Sequence, residues 1–329
     1  VKTAEAFTEA LSHAIAGGLH VIEVAIDRAA NTALHVQLNE AVRAAVPGWL
    51  VTGATGMVGR RLLARLAVAV PPVAILALAR GDSPAWALTQ PTVAWRRGDL
   101  FRDAIIDPVD TLLGAGPLDG LVACLARQPP PRLRRVVALS STSAHSKRDS
   151  DDPDERALAM RLAEAEAALA AWCGAHGVHW TVLRPTLIYD GVDAGALGAL
   201  VTLRKRFGVF LLPRGATGRR QPVHADAVAQ AMLAAAASRA AADRAYDLPG
   251  AEVLRYDAMV ARTLAVACGR ARLLRVPDPV FAGLAQVAMR MPGLRALNPA
   301  MLARLRQDLV FDPAPAVRDF GYAPPAFSP

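Results

Sequence analysis

The sequence contains few cysteines and no long apolar run. Its 329 residues include only three widely spaced cysteines, Cys124, Cys173 and Cys268. This number and spacing exclude a disulfide framework and a cysteine-rich metal site, and they favour ordinary thiols in a reducing compartment. The longest apolar stretch, 66–79, is too short to cross a bilayer and contains two prolines. Because the first residues also lack the order of a secretion signal, we expect a cytoplasmic protein without a transmembrane segment.

Lysine is equally rare. Only Lys2, Lys147 and Lys205 occur, so arginine supplies nearly all of the formal net charge of +8. A GC-rich coding bias explains such a composition, and attraction for anionic ligands is the alternative. The densest basic stretch, 204–220, lacks the aromatic repeats and the Cys/His modules of nucleic-acid-binding proteins. We therefore expect no nucleic-acid partner and assign this stretch to a substrate loop.

The order of elements predicts an α/β protein with a doubly wound parallel Rossmann sheet. We divide it into an appended helix-strand-helix segment at 1–47, a dinucleotide-binding domain at 48–190, and a smaller substrate-side region at 191–329 with return elements to the sheet. Pro47 and Gly48 mark the first boundary. The strands that the apolar runs predict are 49–52, 73–79, 93–95, 120–125, 135–141 and 180–184. The predicted helices include 57–69, 153–175, 226–237, 256–267 and 299–309.

One predicted connection is unusually short. Between the strands assigned to 120–125 and 135–141 lie nine residues, three of them consecutive prolines. Nine extended residues span about 30 Å, which is enough to return along a strand. They cannot also form the crossover helix that normally covers a parallel sheet. We therefore predict that this helix is missing.

A glycine-rich turn follows the first strand of the main domain. Gly53, Gly56 and Gly59 stand between an apolar run and a helix-forming segment. A dinucleotide diphosphate needs bare backbone at such a turn and the positive end of the following helix. The strand-turn-helix context makes the spacing more specific than a lone glycine trio. The candidate cofactor-binding residues of this turn are Thr52, Gly53, Thr55, Gly56, Met57, Val58 and Gly59.

The pattern Thr-Gly-x-x-Gly-x-x-Gly resembles the extended short-chain dehydrogenase/reductase family, the NAD(P)-dependent epimerases and dehydratases. The resemblance extends from residue 49 to about residue 327. It implies an NAD(H) or NADP(H) cofactor. Arg80 ends the second strand, where that family selects its cofactor, and an arginine there favours a 2′-phosphate. The alternative for Arg80 is a solvated strand end.

Further segments carry the same resemblance. Gly98-Asp99-Leu100 is similar to the adenine-contacting element, which makes Asp99 and Leu100 cofactor candidates. The resemblance places Ser140, Ser141 and Pro185 beside the nicotinamide and Thr142 at the catalytic hydroxyl position. Residues 220–228 resemble the substrate-side arginine and the helix start that follows it, which implies substrate contacts for Arg220 and His224. Asp226 can instead cap that helix, and a packing role for His224 is the alternative.

The family's proton relay is absent from this sequence. It needs a tyrosine four residues before a lysine on one helix, and none of the four tyrosines has that partner. Leu158 and Leu162 stand at the two expected positions, and neither can exchange a proton. The resemblance therefore narrows to atypical members, which include relatives of the accessory subunit of respiratory complex I. Lys147 or His145 is a candidate substitute proton donor near Thr142, and a solvated loop charge is the alternative.

The first residues resemble a different family. The segment from His20 to Arg28, followed by Asn31, Leu34 and His35, is similar to the C-terminal end of the thiamine-diphosphate synthase of menaquinone biosynthesis, 2-succinyl-5-enolpyruvyl-6-hydroxy-3-cyclohexene-1-carboxylate synthase. The match is confined to residues 1–46. It lacks the segments that hold magnesium and diphosphate and that activate thiamine, so it implies no activity. We interpret this segment as an appendage, a fusion remnant or an upstream start.

Two classes of function remain after these observations. The first is an NAD(P)(H)-dependent oxidoreductase, epimerase or dehydratase of atypical type that acts on a carbonyl or sugar-type small molecule. The second is a non-catalytic sensor, chaperone or assembly factor that binds the cofactor for stability and has a protein partner. The retained Thr142 and Arg220 favour the enzyme, whereas the missing dyad favours the non-catalytic protein.

Overall fold

The structure is a computed structural model that describes residues 48–68, 74–82, 84–86, 93–105, 107–269, 273–288 and 299–329. The chain forms two compact units, Val1–Pro47 and Gly48–Pro329. The helix-strand-helix prediction for 1–47 therefore lies outside the described residues. The boundary that we place after residue 190 stays a prediction.

The strands of the second unit are β1 Gly48–Thr52, β2 Ala74–Ala79, β3 Val93–Arg97, β4 Thr111–Gly114, β5 Arg135–Leu139, β6 His179–Pro185, β7 Ile188–Tyr189, β8 Phe210–Pro213, β9 Arg219–Arg220, β10 Val223–His224, β11 Arg244–Leu248, β12 Leu254–Arg255 and β13 Leu273–Val276. The helices are α1 Met57–Leu66, α2 Leu118–Arg127, α3 Ser143–Ser146, α4 Pro153–His176, α5 Gly195–Phe207, α6 Ala225–Ala237, α7 Tyr256–Cys268, α8 Asp278–Ala288, α9 Pro299–Arg306 and α10 Ala314–Phe320. In the described ranges, none of these helices combines the length and the apolar character needed to span a membrane.

A seven-stranded sheet organises this unit, with the order β11-β6-β5-β4-β1-β2-β3. Every pair of neighbouring strands in it is parallel. The strand order reverses between β4 and β1, because the chain builds outward in one direction from β1 and then in the other from β4. The predicted doubly wound α/β sheet is confirmed. Ligands of such sheets bind outside the carboxyl ends of the strands at this reversal.

Apolar side chains cover both faces of the sheet. Leu50, Leu112 and Val136 belong to the core beneath α2 and α4. The next residue on each of these strands faces the opposite core, which lies beneath α1 and α6. Strand residues alternate between faces, so two adjacent apolar residues serve two different cores. This explains the continuous apolar runs in the sequence.

The predicted strand at 120–125 is wrong, because these residues lie in helix α2. The strand that precedes α2 is the four-residue β4, and α2 is the crossover helix that we predicted to be missing. Leu118, Leu121 and Leu125 are buried on one face of α2 at helical spacing. Residues 128–134 only return the chain from α2 to β5. A short apolar run fits either a strand or a helix. The length of the run at 120–125 and the residues that flank it favoured a strand, and this was wrong.

A third apolar core holds the substrate-side region together. It joins α5, α7, β8 and the C-terminal end of the chain through buried residues that include Leu197, Phe210, Leu264 and Phe327. Three small two-stranded sheets, β7 with β10, β9 with β12, and β8 with β13, connect its parts. β11 follows this region's first elements in the chain and returns to the edge of the main sheet. The substrate-side region therefore contributes the strand β11 to the main sheet, where it pairs with β6.

Candidate functional site

The glycine turn lies where the strand order reverses. Gly53 has φ +65°, and a Cβ atom on it would approach the backbone of Ala115 and Gly116, which follow β4, to 2.6 Å. A Cβ atom on Gly59 would lie 2.2 Å from the carbonyl oxygen of Gly53. The Ala115 amide donates to the Thr52 carbonyl, which fixes the two strand ends side by side. Only glycine permits this close approach of turn, strand and helix.

The amino end of α1 has no side-chain cap. Gly56 is its N-cap residue, no side chain accepts from the first turn, and the first turn contains no acidic residue. By contrast, Asp152 accepts from two amides at the start of α4. Unpaired amides and the positive end of the helix dipole favour an anion at this place. Thr55 and Gly56 are exposed, and Met57 is partly buried, whereas Val58 and Gly59 are buried.

The sequence missed the role of Asp226. Capping of the helix by Asp226 was one of two roles that the sequence allowed, but Nδ1 of His224 is the group that accepts from the Asp226 amide, at 3.1 Å. The Asp226 carboxylate instead accepts hydrogen bonds from Nε and Nη2 of Arg65, at 2.8 and 2.6 Å. The hydrogen bond from Arg65 lowers the pKa of Asp226 despite its partial burial. This pair ties α1 to α6, and it holds the helix that starts at the glycine turn.

The predicted adenine end lies at the carboxyl ends of β2 and β3. Arg80 is exposed there, and the amide of Gly98 donates to the carbonyl of Ala79. Asp99 accepts from the Phe101 amide at 2.9 Å, so its carboxylate orders the following turn, and Leu100 is buried. A cavity of 360 Å³ opens at this place, lined by Leu78, Arg96, Arg97, Gly98, Asp99, Asp103, Ala104, Ile105 and Cys124. The structure thus places Arg80 and Asp99 on adjacent strand ends.

The predicted nicotinamide end lies across β5 and β6. Thr142 is buried, and both its amide and its hydroxyl are 3.3 Å from the Pro185 carbonyl oxygen. Ser141 Oγ accepts from the Ser143 amide at 3.1 Å, which begins α3. Ser140 donates its hydroxyl to Glu166 on α4. The structure therefore brings Ser140, Thr142 and Pro185 together, but each polar group already has a partner within the protein.

Glu166 and Arg184 form a buried ion pair beneath this end of the site. Two carboxylate-to-guanidinium contacts of 3.0 Å from Nε and one of 2.5 Å from Nη2 join them. Their side chains are 11% and 19% exposed. Burial alone would lower the pKa of Arg184, but the hydrogen bonds and the charge of Glu166 outweigh it and raise the pKa. Oδ1 of Asp247 on β11 lies 3.8 Å from Nη1 of Arg184, and burial raises the pKa of the Asp247 carboxyl.

Both substitute proton donors have acidic neighbours. Lys147 Nζ lies 3.5 Å from Oε1 of the buried Glu155. Burial and then the charge of Arg304 lower the pKa of Lys147, while Asp152 opposes the shift. His145 is half exposed, and its Nε2 lies 3.7 Å from Asp247 Oδ1. The sequence missed Glu155 and Arg304. The N-cap pattern Asp152-Pro153 could have placed Glu155 on the first turn of α4, but no sequence signal places Arg304 beside it.

Arg220 and His224 both hold main chain in this structure. The Arg220 guanidinium donates to the carbonyls of Arg219, Gln307 and Arg304 at 2.8, 2.7 and 2.5 Å. It also lies 5.6 Å above the centre of the Tyr256 ring and is only 7% exposed. Burial lowers the pKa of Arg220. These contacts secure the carboxyl end of α9.

Leu158 and Leu162, at the two expected positions of the proton relay, are partly buried on α4.

Comparisons with known proteins identify the fold. No protein-family model and no curated protein matches the sequence. Among solved structures, an epimerase of Methanothermobacter thermautotrophicus is 14% identical over 86% of this chain and 89% of its own, with a TM-score of 0.63. UDP-glucuronic acid 4-epimerase from Bacillus cereus, solved in complex with NAD, is 14% identical over 85% of this chain and 92% of its own, with a TM-score of 0.61.

A third similar structure gives the class its name. A short-chain dehydrogenase/reductase superfamily protein from Agrobacterium tumefaciens, with bound NAD, is 16% identical over 70% of this chain and 85% of its own, with a TM-score of 0.55. At these identities the likeness establishes the fold alone. The chain has the fold of the extended short-chain dehydrogenase/reductases. The resemblance of residues 1–46 to the thiamine-diphosphate synthase has no support from these comparisons.

We predict that the change Glu166→Gln destabilises the protein by about 3 kcal/mol, because it leaves Arg184 buried without its full counter-charge. The matched control is Glu164→Gln on the exposed face of the same helix, and it should change stability by less than about 0.5 kcal/mol. Urea unfolding of both variants measures the difference. Equal stability of the two variants would show that the Glu166–Arg184 pair contributes nothing.

Proposed function

We propose that this protein binds a pyridine dinucleotide across the carboxyl ends of its sheet, with the diphosphate at residues 52–59. The observation that supports this most strongly is the uncapped amino end of α1, which follows the glycine turn at the strand reversal. The backbone packs so closely around Gly53 and Gly59 that no Cβ atom fits, so bare backbone lies at this position. These residues fit an anionic diphosphate in geometry and in charge.

NADP(H) is the proposed preference over NAD(H). Arg80 has no hydrogen-bond or ion-pair partner among the described residues, and it stands at the end of β2 next to Arg97 on the neighbouring strand. Arginine pairs well with phosphate through two parallel hydrogen bonds. Two similar structures hold NAD, so the preference for NADP(H) rests on Arg80. Asp99 and Leu100 would border the adenine, and Ser140, Ser141 and Pro185 would border the nicotinamide.

The proposed reaction is hydride transfer to or from an unidentified carbonyl or sugar-type substrate. The nicotinamide supplies the hydride chemistry when it is bound. Thr142 would polarise the substrate carbonyl, but its hydroxyl must first leave the Pro185 oxygen, 3.3 Å away. Lys147 is the proposed proton donor, since its ammonium lies on the segment that follows Thr142 and burial lowers its pKa. His224 and Arg220 would shape the substrate side through the main chain that they hold.

A non-catalytic role is the second candidate, and specific observations favour it. Leu158 and Leu162 occupy the positions of the proton relay, and the donors of Arg220 are all directed at main-chain carbonyls. A protein of this kind would bind the dinucleotide for stability or sensing and would act on a protein partner, as the resemblance to relatives of the complex I accessory subunit implies. Tight binding without turnover would then be the expected behaviour.

Replacement of Gly56 by valine tests the diphosphate site. We expect Gly56→Val to fold, because Gly56 has φ −73° and a Cβ atom there would meet only the Gly53 carbonyl, at 3.2 Å. The new side chain would occupy the exposed face of the turn and weaken NADPH binding about 100-fold, or about 2.7 kcal/mol. Fluorescence titration of NADPH measures this. The control Gly174→Val, at a position with open space around it on α4, should bind normally. Unchanged binding by Gly56→Val would refute the site.

Replacement of Arg80 tests the cofactor preference. We expect the wild-type protein to bind NADPH more tightly than NADH, and Arg80→Ser to remove about tenfold of NADPH affinity while NADH affinity stays constant. The control Arg239→Ser removes an exposed arginine in the loop after α6 and should affect neither cofactor. If Arg80→Ser weakens both cofactors equally, Arg80 does not contact the 2′-phosphate.

A turnover screen separates the two candidate functions. The protein loaded with NADPH is mixed with panels of carbonyl compounds and sugar nucleotides, and absorbance at the reduced nicotinamide band is followed. Under the enzymatic proposal, at least one compound oxidises the cofactor, and Lys147→Met slows that reaction more than it weakens cofactor binding. Tight NADPH binding without oxidation by any compound would instead favour the sensor or assembly role.

A further inference from the structure

A small polar cavity lies beside the segment that follows Thr142. Its volume is 230 Å³, and it separates two walls of the protein. One wall comes from the segment between α3 and α4, and the other comes from α9. The lining residues are His145, Ser146, Asp149, Ser150, Asp151, Ala303, Arg304 and Gln307. The two walls come from segments about 150 residues apart in sequence, so a contact between them is needed to fix their relative positions.

One buried carboxylate contacts both walls. Glu155, at the first turn of α4, is 8% exposed. Its Oε2 accepts the Ser150 hydroxyl at 2.7 Å, and its Oε1 lies 3.5 Å from Lys147 Nζ, both on the first wall. Its Oε1 also forms an ion pair with Nη1 of Arg304 on α9. The side chains of Lys147 and Arg304 are only 22% and 20% exposed, so these charges meet in a largely desolvated place.

The charge balance of this cluster is sensitive to each member. Two cations share one buried carboxylate, and Asp152 is the further acidic group that acts on both cations. Burial lowers the pKa of Arg304, as it does that of Lys147. Removal of the carboxylate leaves two partly buried cations beside each other, whereas removal of one cation leaves a balanced pair. The protonation of Lys147 is therefore coupled to the seating of α9.

The other contacts of α9 leave this coupling in place. Arg220 holds the carbonyls at the end of α9, and Arg306 on α9 pairs with Asp278 Oδ2 at 2.5 Å. Both contacts join α9 to the substrate-side region itself. Within the part of the chain that the structure describes, the Arg304–Glu155 ion pair links α9 to α4. Glu155 is thus the charged anchor that connects α9 to the segment after Thr142.

We propose that Glu155 is a positioning residue for the reacting side of the site, which holds Lys147 in the segment that forms one wall of the small cavity and holds Arg304 of α9 on the other wall. The inference deepens the proposed function and rests on it for the role of Lys147 in the reaction. Glu155 acts through its two cationic partners. In this arrangement α9 lines the cavity through Ala303 and Arg304. The positive charge of Arg304 also lowers the pKa of the Lys147 amine.

The scarcity of lysine makes a direct experiment practical. Only Lys2, Lys147 and Lys205 occur in the chain, so selective ¹³C labelling of lysine gives a spectrum of three signals, and Lys147→Arg assigns one of them. We expect the pKa of Lys147 to lie below the usual range of a lysine, because its amine is partly buried. In Glu155→Gln the Lys147 pKa should fall by about one further pH unit, and in Arg304→Met it should rise by about one pH unit, because the two variants remove charges of opposite sign.

Hydrogen exchange measures the second half of the proposal. In both variants, the amides of 299–309 should exchange at least about tenfold faster than in the wild-type chain, because α9 loses its anchor on α4. The matched control is Glu252→Gln, which breaks an exposed ion pair with Arg262 at 2.7 Å and should change neither readout. Arg304→Met changes a peripheral helix, so it keeps the test available if Glu155→Gln does not fold.

The outcomes are distinct. Loosening of α9 without a shift of the Lys147 titration would assign Glu155 a purely structural role and overturn the proposal, as would shifts of the same sign in the two variants. NADPH titration of the Glu155→Gln protein separates this inference from the proposed function. We expect this variant to bind NADPH with wild-type affinity, because the diphosphate turn follows β1, which β4 separates from β5. Failure of the wild-type chain to bind NADPH would defeat the proposed function while the Lys147 and exchange results would still stand.

Discussion

The close approach of three backbone segments at the glycine turn is the constraint on which the rest of this structure depends. Gly53 lies against the segment after β4, and Gly59 lies against Gly53, at distances that leave no room for a side chain. Because of these contacts, α1 begins directly over the strand reversal, with its free amides facing the crevice. The Arg65–Asp226 pair then fixes α1 against α6 and so couples the turn to the helix that follows the substrate-side loop.

The reacting side of the site differs from its cofactor side. On the proposed cofactor side, the amino end of α1 has no side-chain cap, and Arg80 has no hydrogen-bond or ion-pair partner among the described residues, which favours an anion there. On the reacting side, the polar groups are already bonded within the protein, as Ser140 is to Glu166 and Thr142 is to Pro185. Catalysis there would require groups to exchange partners. A binding role would require none, and this contrast is why both functions remain candidates.

The sequence predicted those parts of the fold that depend on local pattern. β1, β2 and β6 are long apolar runs with clear flanks, and α4 begins at the Asp152-Pro153 signal, so their positions could be read directly. β4 and α2 were misassigned because the strand has four residues and the apolar run of the helix contains a glycine. Gly120 packs closely there, because a Cβ atom on it would lie 3.0 Å from the Phe101 ring and would displace it. Only the folded chain reveals that neighbour.

The site divides in the same way. The glycine turn is one continuous motif, so the sequence was sufficient to locate it, while its role as a diphosphate site stays a proposal. The cluster around Glu155 joins residues from three distant segments, and the carbonyl contacts of Arg220 join β9 to α9. Long-range ion pairs leave no periodic signal in a sequence, because either partner alone is an ordinary charged residue. For this reason the sequence could name Lys147 but not the groups that surround it.

The way in which Arg220 holds α9 has an evolutionary consequence. Its guanidinium donates hydrogen bonds to the main-chain carbonyl oxygens of residues 219, 304 and 307. Carbonyl groups are the same whatever residue carries them. The Arg220 contacts therefore do not depend on which side chains stand at positions 304 and 307, whereas a change at position 220 would remove these contacts.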